Sequence, residues 1–420
     1  MKPKIPKDER GVAFILEIIV ICLVLAVVGV VGYKIYQKHG GSLFGPAPIT
    51  QNPKNLAQAH NALGFNVVRD LNHEQKDNVF ISPTSIALAL SMVYNGANGD
   101  TKQAMASTLQ FKNLDTSQIN QESLGLINLL KNPDKDVELS IANSIWTHQG
   151  LDVKPEFLKS VSDYYQAKST ALDFNDPGAA KEINSWVDKN TKGKIPTIVD
   201  SIPSDMVMYL INATYFKGTW TKSFDKSQTV DKAFVPSKGA SYKVPMMYQH
   251  EDDFSYYETD DFQSVSLPYG KSKRLSMYVF LPKDLEKFTD SLDIQKWELW
   301  MSKYKESKGT VLLPRFKMEY EKELKDTLTK LGMGVAFDSQ ADFTGIGDSL
   351  QISQVKHKTF LDVNEEGTEA AAVTSVGAVT TSIGGPEEKE FYMEVNQPFF
   401  LAIKDNQTKE ILFAGAINHP

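Results

Sequence analysis

Apolar residues recur at helical spacing across residues 54–75, where Leu56, Ala59, Ala62, Leu63, Phe65, Val67, Val68 and Leu71 predict an amphipathic helix. A second helix is marked at both ends. Ser82 is a good N-cap, Pro83 fits the first helical position, and Asn95-Gly96 is a stop signal. This helix is apolar on nearly every side, which predicts a central, buried position. Gly99-Asp100-Thr101 opens a third helix, and further helical patterns cover residues 115–131, 155–165 and 177–191, the last with Ile183, Trp186 and Val187 on one side. Residues 137–147 alternate like a strand. Residues 205–216 form a continuous apolar run, as in a strand covered on both faces. Strand patterns follow at 264–268, 276–281, 310–314, 391–403 and 410–418, with helices near 294–305 and 322–331. The reading is an α+β chain, strand-rich in its second half, without an internal repeat or a linker that divides it.

Two stretches stand apart from this pattern. Residues 12–33 are apolar except for Glu17, and twenty-two helical residues span about 33 Å, enough for a bilayer core. Lys2, Lys4, Lys7 and Arg10 precede the run, and Lys34 and Lys38 follow it. This bias favours a cytoplasmic segment at 1–11 and an external body. No small-residue cleavage site follows, so the expectation is an uncleaved signal anchor, a transmembrane helix at 12–33 followed by a flexible tether at 34–53. The body would then be extracytoplasmic, held at the membrane or released by cutting the tether.

The second stretch is 364–385. Between Ala370 and Ser382 nearly every residue is small or β-branched, with no proline and no charge, and this suits a strand. Gly367, Gly377, Gly384, Gly385 and Pro386 suit an exposed loop. Thr368, Ala370, Ala372, Thr374, Val376 and Ala378 would share one face of a strand, and all are compact and uncharged. A plain surface loop and a strand held in reserve are both compatible with this composition.

Composition removes several alternatives. The chain has 420 residues, 41% hydrophobic and 23% charged, with a net charge of −7, which gives no electrostatic case for nucleic acid. Its one cysteine, Cys22, lies in the apolar segment, so neither an intramolecular disulfide nor a Cys-based metal site is expected. The seven histidines include no pair at metal-ligand spacing. The phosphate-loop, dinucleotide and nucleophile-elbow motifs are missing from the sequence. No cofactor, no metal and no enzymatic turnover are therefore expected.

Five segments, in order, resemble one family. NVFISPTSIALALSMVYNGANGDT (78–101) is similar to the buried helix behind the serpin shutter. INSWVDKNTKGKI (183–195) resembles the helix lying across the main sheet. LINATYFKGTWTKSFD (210–225) resembles its central strand and breach. NEEGTEAAA (364–372) resembles the reactive-loop hinge, and MEVNQPFFLAI (393–403) with ILFAGAINHP (411–420) the C-terminal signature and last strand. The resemblance covers residues 54–420 and is to bacterial-type members of the serpin (serine protease inhibitor) family. It departs from them in the membrane anchor and in a distal loop side, 383–395, longer than compact members have.

The resemblance implies three β-sheets, eight or nine helices, a reactive-centre loop at about 364–391, and a monomer. It also implies a mechanism. A protease cleaves the loop, is caught as a covalent acyl-enzyme, and is dragged along as the loop inserts as a new strand. The implied hinge is Glu365, Glu366, Gly367, Thr368, Glu369, Ala370, Ala371 and Ala372. The family's spacing from Glu365 reaches Thr381, seventeen residues on inclusive counting, and gives a Thr381–Ser382 reactive bond. Ser82, Asn212 and His357 fall at shutter positions and Trp220 at the breach. Small, uncharged inward positions and a first proline only at Pro386 meet the demands of insertion. About ten new ladder bonds at roughly 1 kcal/mol each would release on the order of 10 kcal/mol, comparable to the stability of a domain. The bait residues are uncharged and non-aromatic, so the expected partners are elastase-like or subtilisin-like serine proteases. The alternative is a non-inhibitory serpin-fold binding or chaperone module.

Overall fold

The computed structural model describes residues 54–74, 77–111, 114–203, 205–368 and 390–420. The expected membrane span at 12–33, the tether, hinge positions Glu369 to Ala372 and the Thr381–Ser382 bond all lie outside the described residues. Among the described residues no helix is long and apolar enough to cross a membrane.

The first helix, α1 (Lys54–Glu74), leads to the short strand β1 (Val79–Ile81) and to α2 (Pro83–Tyr94). Ser82 caps α2 by accepting the Ser85 amide, and every α2 residue is buried. The all-round apolar pattern is thus satisfied from all sides. Helices α3 (Gly99–Thr108), α4 (Thr116–Leu130), α5 (Pro155–Tyr165) and α6 (Gly178–Asn190) follow, interleaved with β2 (Val137–His148) and β3 (Lys168–Leu172). Asp115 and Gln118 close a capping box at the start of α4.

The 205–216 run forms β4 (Met208–Thr219), whose residues are almost all buried. The cause is its place in a six-stranded sheet. That sheet also contains β10 (Phe316–Glu323), β11 (Gln354–Asn364) and β12 (Gly367–Thr368), in the order β10-β11-β12-β4-β2-β3. A distinct apolar cluster covers one face of this sheet. In it Ile183 and Val187 of α6 join Trp146 of β2, Ile211 and Tyr215 of β4, and Phe360 of β11. The helix therefore lies over this face of the sheet, against β2.

The remaining strands are β5 (Val230–Phe234), β6 (Tyr242–Glu258), β7 (Phe262–Tyr269), β8 (Leu275–Pro282), β9 (Lys305–Pro314), β13 (Phe391–Glu394), β14 (Phe399–Asp405) and β15 (Ile411–Ile417). With β1 they form a nine-stranded network. Strand β6 joins two sheets within it. Its register shifts between Glu251 and Phe254, its first half pairs with β5 and its second with β7, while β9 follows both. Three more helices, α7 (Leu285–Ser291), α8 (Ile294–Met301) and α9 (Lys325–Leu328), bring the described α-helices to nine.

Some boundaries differ from the sequence expectation. The 391–403 strand is two strands, because the chain leaves the β9 partner after Glu394 and Pro398 cannot donate to a ladder. The 322–331 helix is one α turn running into a wider turn at Thr329–Met333, where Gly332 takes φ +107°. The helix near 294–305 stops at Met301 so that Lys305 can begin β9.

Candidate functional site

The six-stranded sheet holds two polar constellations, one beneath its middle and one at its upper end. In the middle, Asn143 of β2, Asn212 of β4 and His357 of β11 lie at one level, as direct cross-strand neighbours. The start of α2 packs behind them. The Ser82 backbone amide donates to His357 Nε2 at 3.1 Å, and the opposite ring nitrogen bonds Asn212 Oδ1. Asn212 Nδ2 donates to Ser85 Oγ and to Asn143 Oδ1. Ser82, Asn212 and His357, expected at shutter positions, thus meet in one cluster. Ser82 and His357 are fully buried and Asn212 nearly so.

The hydrogen bonds fix the tautomer of the histidine. An amide N–H can only donate, so Nε2 must be unprotonated, and Nδ1 carries the proton toward Asn212 Oδ1. Burial holds the imidazole pKa down, to about 3.

At the upper end the sheet is split. Lower down, β11 pairs directly and in parallel with β4, Gln354–Phe360 against Tyr209–Tyr215. Higher up, β12 lies between them: Thr368 opposes Val363 and Gly218, and Gly367 opposes Asn364 and Thr219. The first two strand-like residues of the 364–385 stretch are therefore already seated in the sheet.

Side chains from four elements hold this wedge. Trp220 Nε1 donates to the Asn364 carbonyl at 2.9 Å, and its backbone amide donates to the Glu366 carbonyl at 2.9 Å. The Phe224 amide donates to the Glu365 carbonyl at 2.8 Å. The indole stacks on Tyr269, with ring centroids 4.4 Å apart. The Tyr269 hydroxyl and Thr368 Oγ1 are 2.7 Å apart, and burial pushes this phenol far above its ordinary pKa, so it remains protonated. Glu365, only 2% exposed, accepts from Thr229 Oγ1 at 2.8 Å and faces Arg315 Nη1 at 3.4 Å. Glu366 pairs with Lys226. Gly367 is fixed by close approach, since a Cβ there would lie 2.0 Å from the Gly218 carbonyl oxygen.

Trp220 and the four described hinge residues, Glu365, Glu366, Gly367 and Thr368, thus converge at the top of the sheet. The sequence reading did not include Ser85, Asn143, Tyr269, Thr229, Arg315 or Lys226. Asn143 carried a visible signal, as a polar residue in the apolar alternate row of Val137, Leu139, Ile141 and Ile145. The breach partners carried none, because they come from separate elements that only the fold brings together. No group of three or more His, Cys, Asp or Glu able to hold a metal occurs among the described residues.

Comparison with known proteins bears on the whole body. A family model described as Serpin (serine protease inhibitor) matches residues 58–420. An uncharacterized serpin-like protein of Methanosarcina acetivorans is 36% identical, across 96% of this chain and 97% of its own. The leukocyte elastase inhibitor of Xenopus tropicalis is 36% identical, over 87% of this chain and all of its own. The crystal structure of Tengpin, a thermophilic serpin in the native state, superposes with a TM-score of 0.80 at 32% identity, covering 88% of this chain and 94% of that one. The family match over residues 58–420 and the relatives at 36% identity over most of both chains show that the chain belongs to the serpin family.

Proposed function

We propose that the chain is a suicide-substrate inhibitor of serine proteases with shallow apolar specificity pockets, elastase-like or subtilisin-like, which it traps as acyl-enzymes. The observation that carries this reading is the position of β12. The sheet is closed below and open above, and Gly367 and Thr368 occupy the gap. Cleavage after Thr381 would release the rest of the stretch to follow them between β4 and β11. Each further residue adds ladder hydrogen bonds to both neighbours, and the attached enzyme travels with the strand. The likeness to a leukocyte elastase inhibitor supports the protease class. Anchorage through residues 12–33, with the body outside the cytoplasm, is part of the same proposal and rests on the charge bias of the sequence.

The test is incubation with elastase, subtilisin and trypsin. Complexes that survive SDS are expected with one or both of the first two, with the cut mapped by mass spectrometry to Thr381–Ser382. Simple loop cutting by all three, without complex, would overturn the proposal. A melting curve before and after loop cleavage supplies an independent check, since strand insertion should raise the transition sharply and a non-inhibitory module would show no rise.

A further inference from the structure

A second buried polar array lies behind the shutter. His60 of α1, Thr84 of α2 and Glu410, just before β15, are all completely buried. His60 Nδ1 and Glu410 Oε1 are 3.1 Å apart, and Thr84 Oγ1 donates to Glu410 Oε2 at 2.8 Å, with the Ile411 carbonyl at 3.0 Å as a competing acceptor. The neighbouring Asn61 holds the residues on either side of Glu410. Its Nδ2 donates to the Lys409 carbonyl at 2.9 Å, and its Oδ1 accepts from the Ile411 amide at 2.8 Å. Helix α1 thus fixes the β14–β15 turn, and the turn fixes Thr84.

A buried carboxylate of this kind is a poor source of stability, because apolar packing of the same volume would serve as well. What it supplies is a defined position for the first turn of α2. That turn is tied in two directions. Thr84 binds it to the β14–β15 turn, while Ser82 and Ser85 on either side of it bind His357 of β11 and Asn212 of β4. For a strand to enter, β4 and β11 must move about 4.8 Å apart. With Thr84 anchored, the α2 turn cannot follow either strand, and the shutter bonds must break against a fixed support. With Thr84 released, the turn can travel with one strand and keep part of its bonding.

We propose that His60, Glu410 and Thr84 are positioning residues that hold the α2 turn against the β14–β15 turn and so keep the main sheet shut until the loop is cut. The functional consequence rests on the inhibitory reading above, whereas the structural test does not. His60 also interacts electrostatically with Glu122 of α4, so its removal would disturb more than this array, and Thr84 is the cleaner position to change.

The experiment is native-state hydrogen exchange on the full chain, comparing wild type with Thr84→Val, which deletes the hydroxyl at nearly constant shape, and Thr84→Ser, which keeps it. Loss of this buried hydrogen bond is expected to speed exchange of the β4 and β11 amides by roughly tenfold in Thr84→Val, with the β14 and β15 amides little changed and Thr84→Ser close to wild type. Thr84→Ala is read in the same way if the valine variant does not fold. Unchanged β4 and β11 exchange, equal acceleration in β14 and β15, or a serine variant that behaves like valine would each overturn the proposal. A second readout is the protease-trapping capacity left after storage of the uncleaved chain, which should decay several-fold faster in Thr84→Val. If the wild type traps no protease, the inhibitory reading fails, and the exchange data still decide this one.

Discussion

If the chain traps proteases as proposed, Thr368→Glu is expected to convert it from a trap into an ordinary substrate. Thr368 is fully buried between β4 and β11, with its hydroxyl against that of Tyr269. A carboxylate at this point would meet the Tyr269 hydroxyl and buried strand backbone, and burying it unpaired costs several kcal/mol. The remainder of the loop still offers on the order of 10 kcal/mol, so the final inserted state is not forbidden. The loss is in rate, because the seated residue has to lead the strand in. A penalty of about 3 kcal/mol on that step lowers the yield of stable complex by about two orders of magnitude, at 1.4 kcal/mol per factor of ten. Cleavage of the loop should continue at the wild-type rate, since the bait is untouched. The measurement is the ratio of SDS-stable complex to cleaved inhibitor with an elastase. A variant that retained the wild-type ratio would remove β12 from the mechanism.

Acid should loosen the sheet through His357. The folded-state pKa of this group, about 3, lies well below the ordinary value of 6.5 because the ring is buried. Between those two values the unfolded chain binds a proton that the folded chain does not, so stability falls as pH drops through this window and is complete above it. The slope from this one group approaches about 1.4 kcal/mol per pH unit in the middle of the window. The structural reason is local. A proton on Nε2 would set two donors, the ring N–H and the Ser82 amide, against each other. His357→Gln, which can still accept from Ser82, is expected to flatten the pH dependence of urea unfolding between pH 6.5 and about 3. An unchanged slope in that variant would assign the acid sensitivity to other groups.

The parts of this protein that were legible in its sequence share a physical cause. The second helix could be read because Ser82, Pro83 and Asn95 mark its ends chemically. Strand β4 could be read because a strand covered on both faces has no polar side to confuse with a helix. Strand β6 was not foreseen. Its middle is His250-Glu251-Asp252-Asp253, a charged run that is exposed where the register shifts, and Pro245 interrupts its first half. Strand β11 was also missed, although its buried Val355, His357, Thr359, Leu361 and Val363 alternate with Lys356, Lys358 and Asp362. A histidine and a threonine on the inner face disguise the alternation, and they are inward because α2 supplies the hydrogen-bonding partners. The site divides in the same way. The expected shutter positions Ser82, Asn212 and His357 were picked from motifs along the chain, and the structure brings those three together. The hinge partners Thr229, Arg315 and Tyr269 could not be picked in this way, because sequence spacing carries no information about what a distant strand will bring alongside.

If the chain traps proteases as proposed, the apolar cluster beneath α6 would set a tempo. On the inhibitory reading, an enzyme held on the loop as an ester would be hydrolysing itself free from the moment it was caught, so trapping would be a race decided by speed rather than by final stability. Ile183 and Val187 share one apolar cluster with residues of β2, β4 and β11, so a strand entering between the last two would have to rearrange that cluster. A tighter helix would let the protease escape with the inhibitor spent, and a looser one would let the sheet fill before any protease arrived. On that reading the side chains on this one helical face would be the clock of the device, and their size would decide how many molecules are consumed for each enzyme stopped.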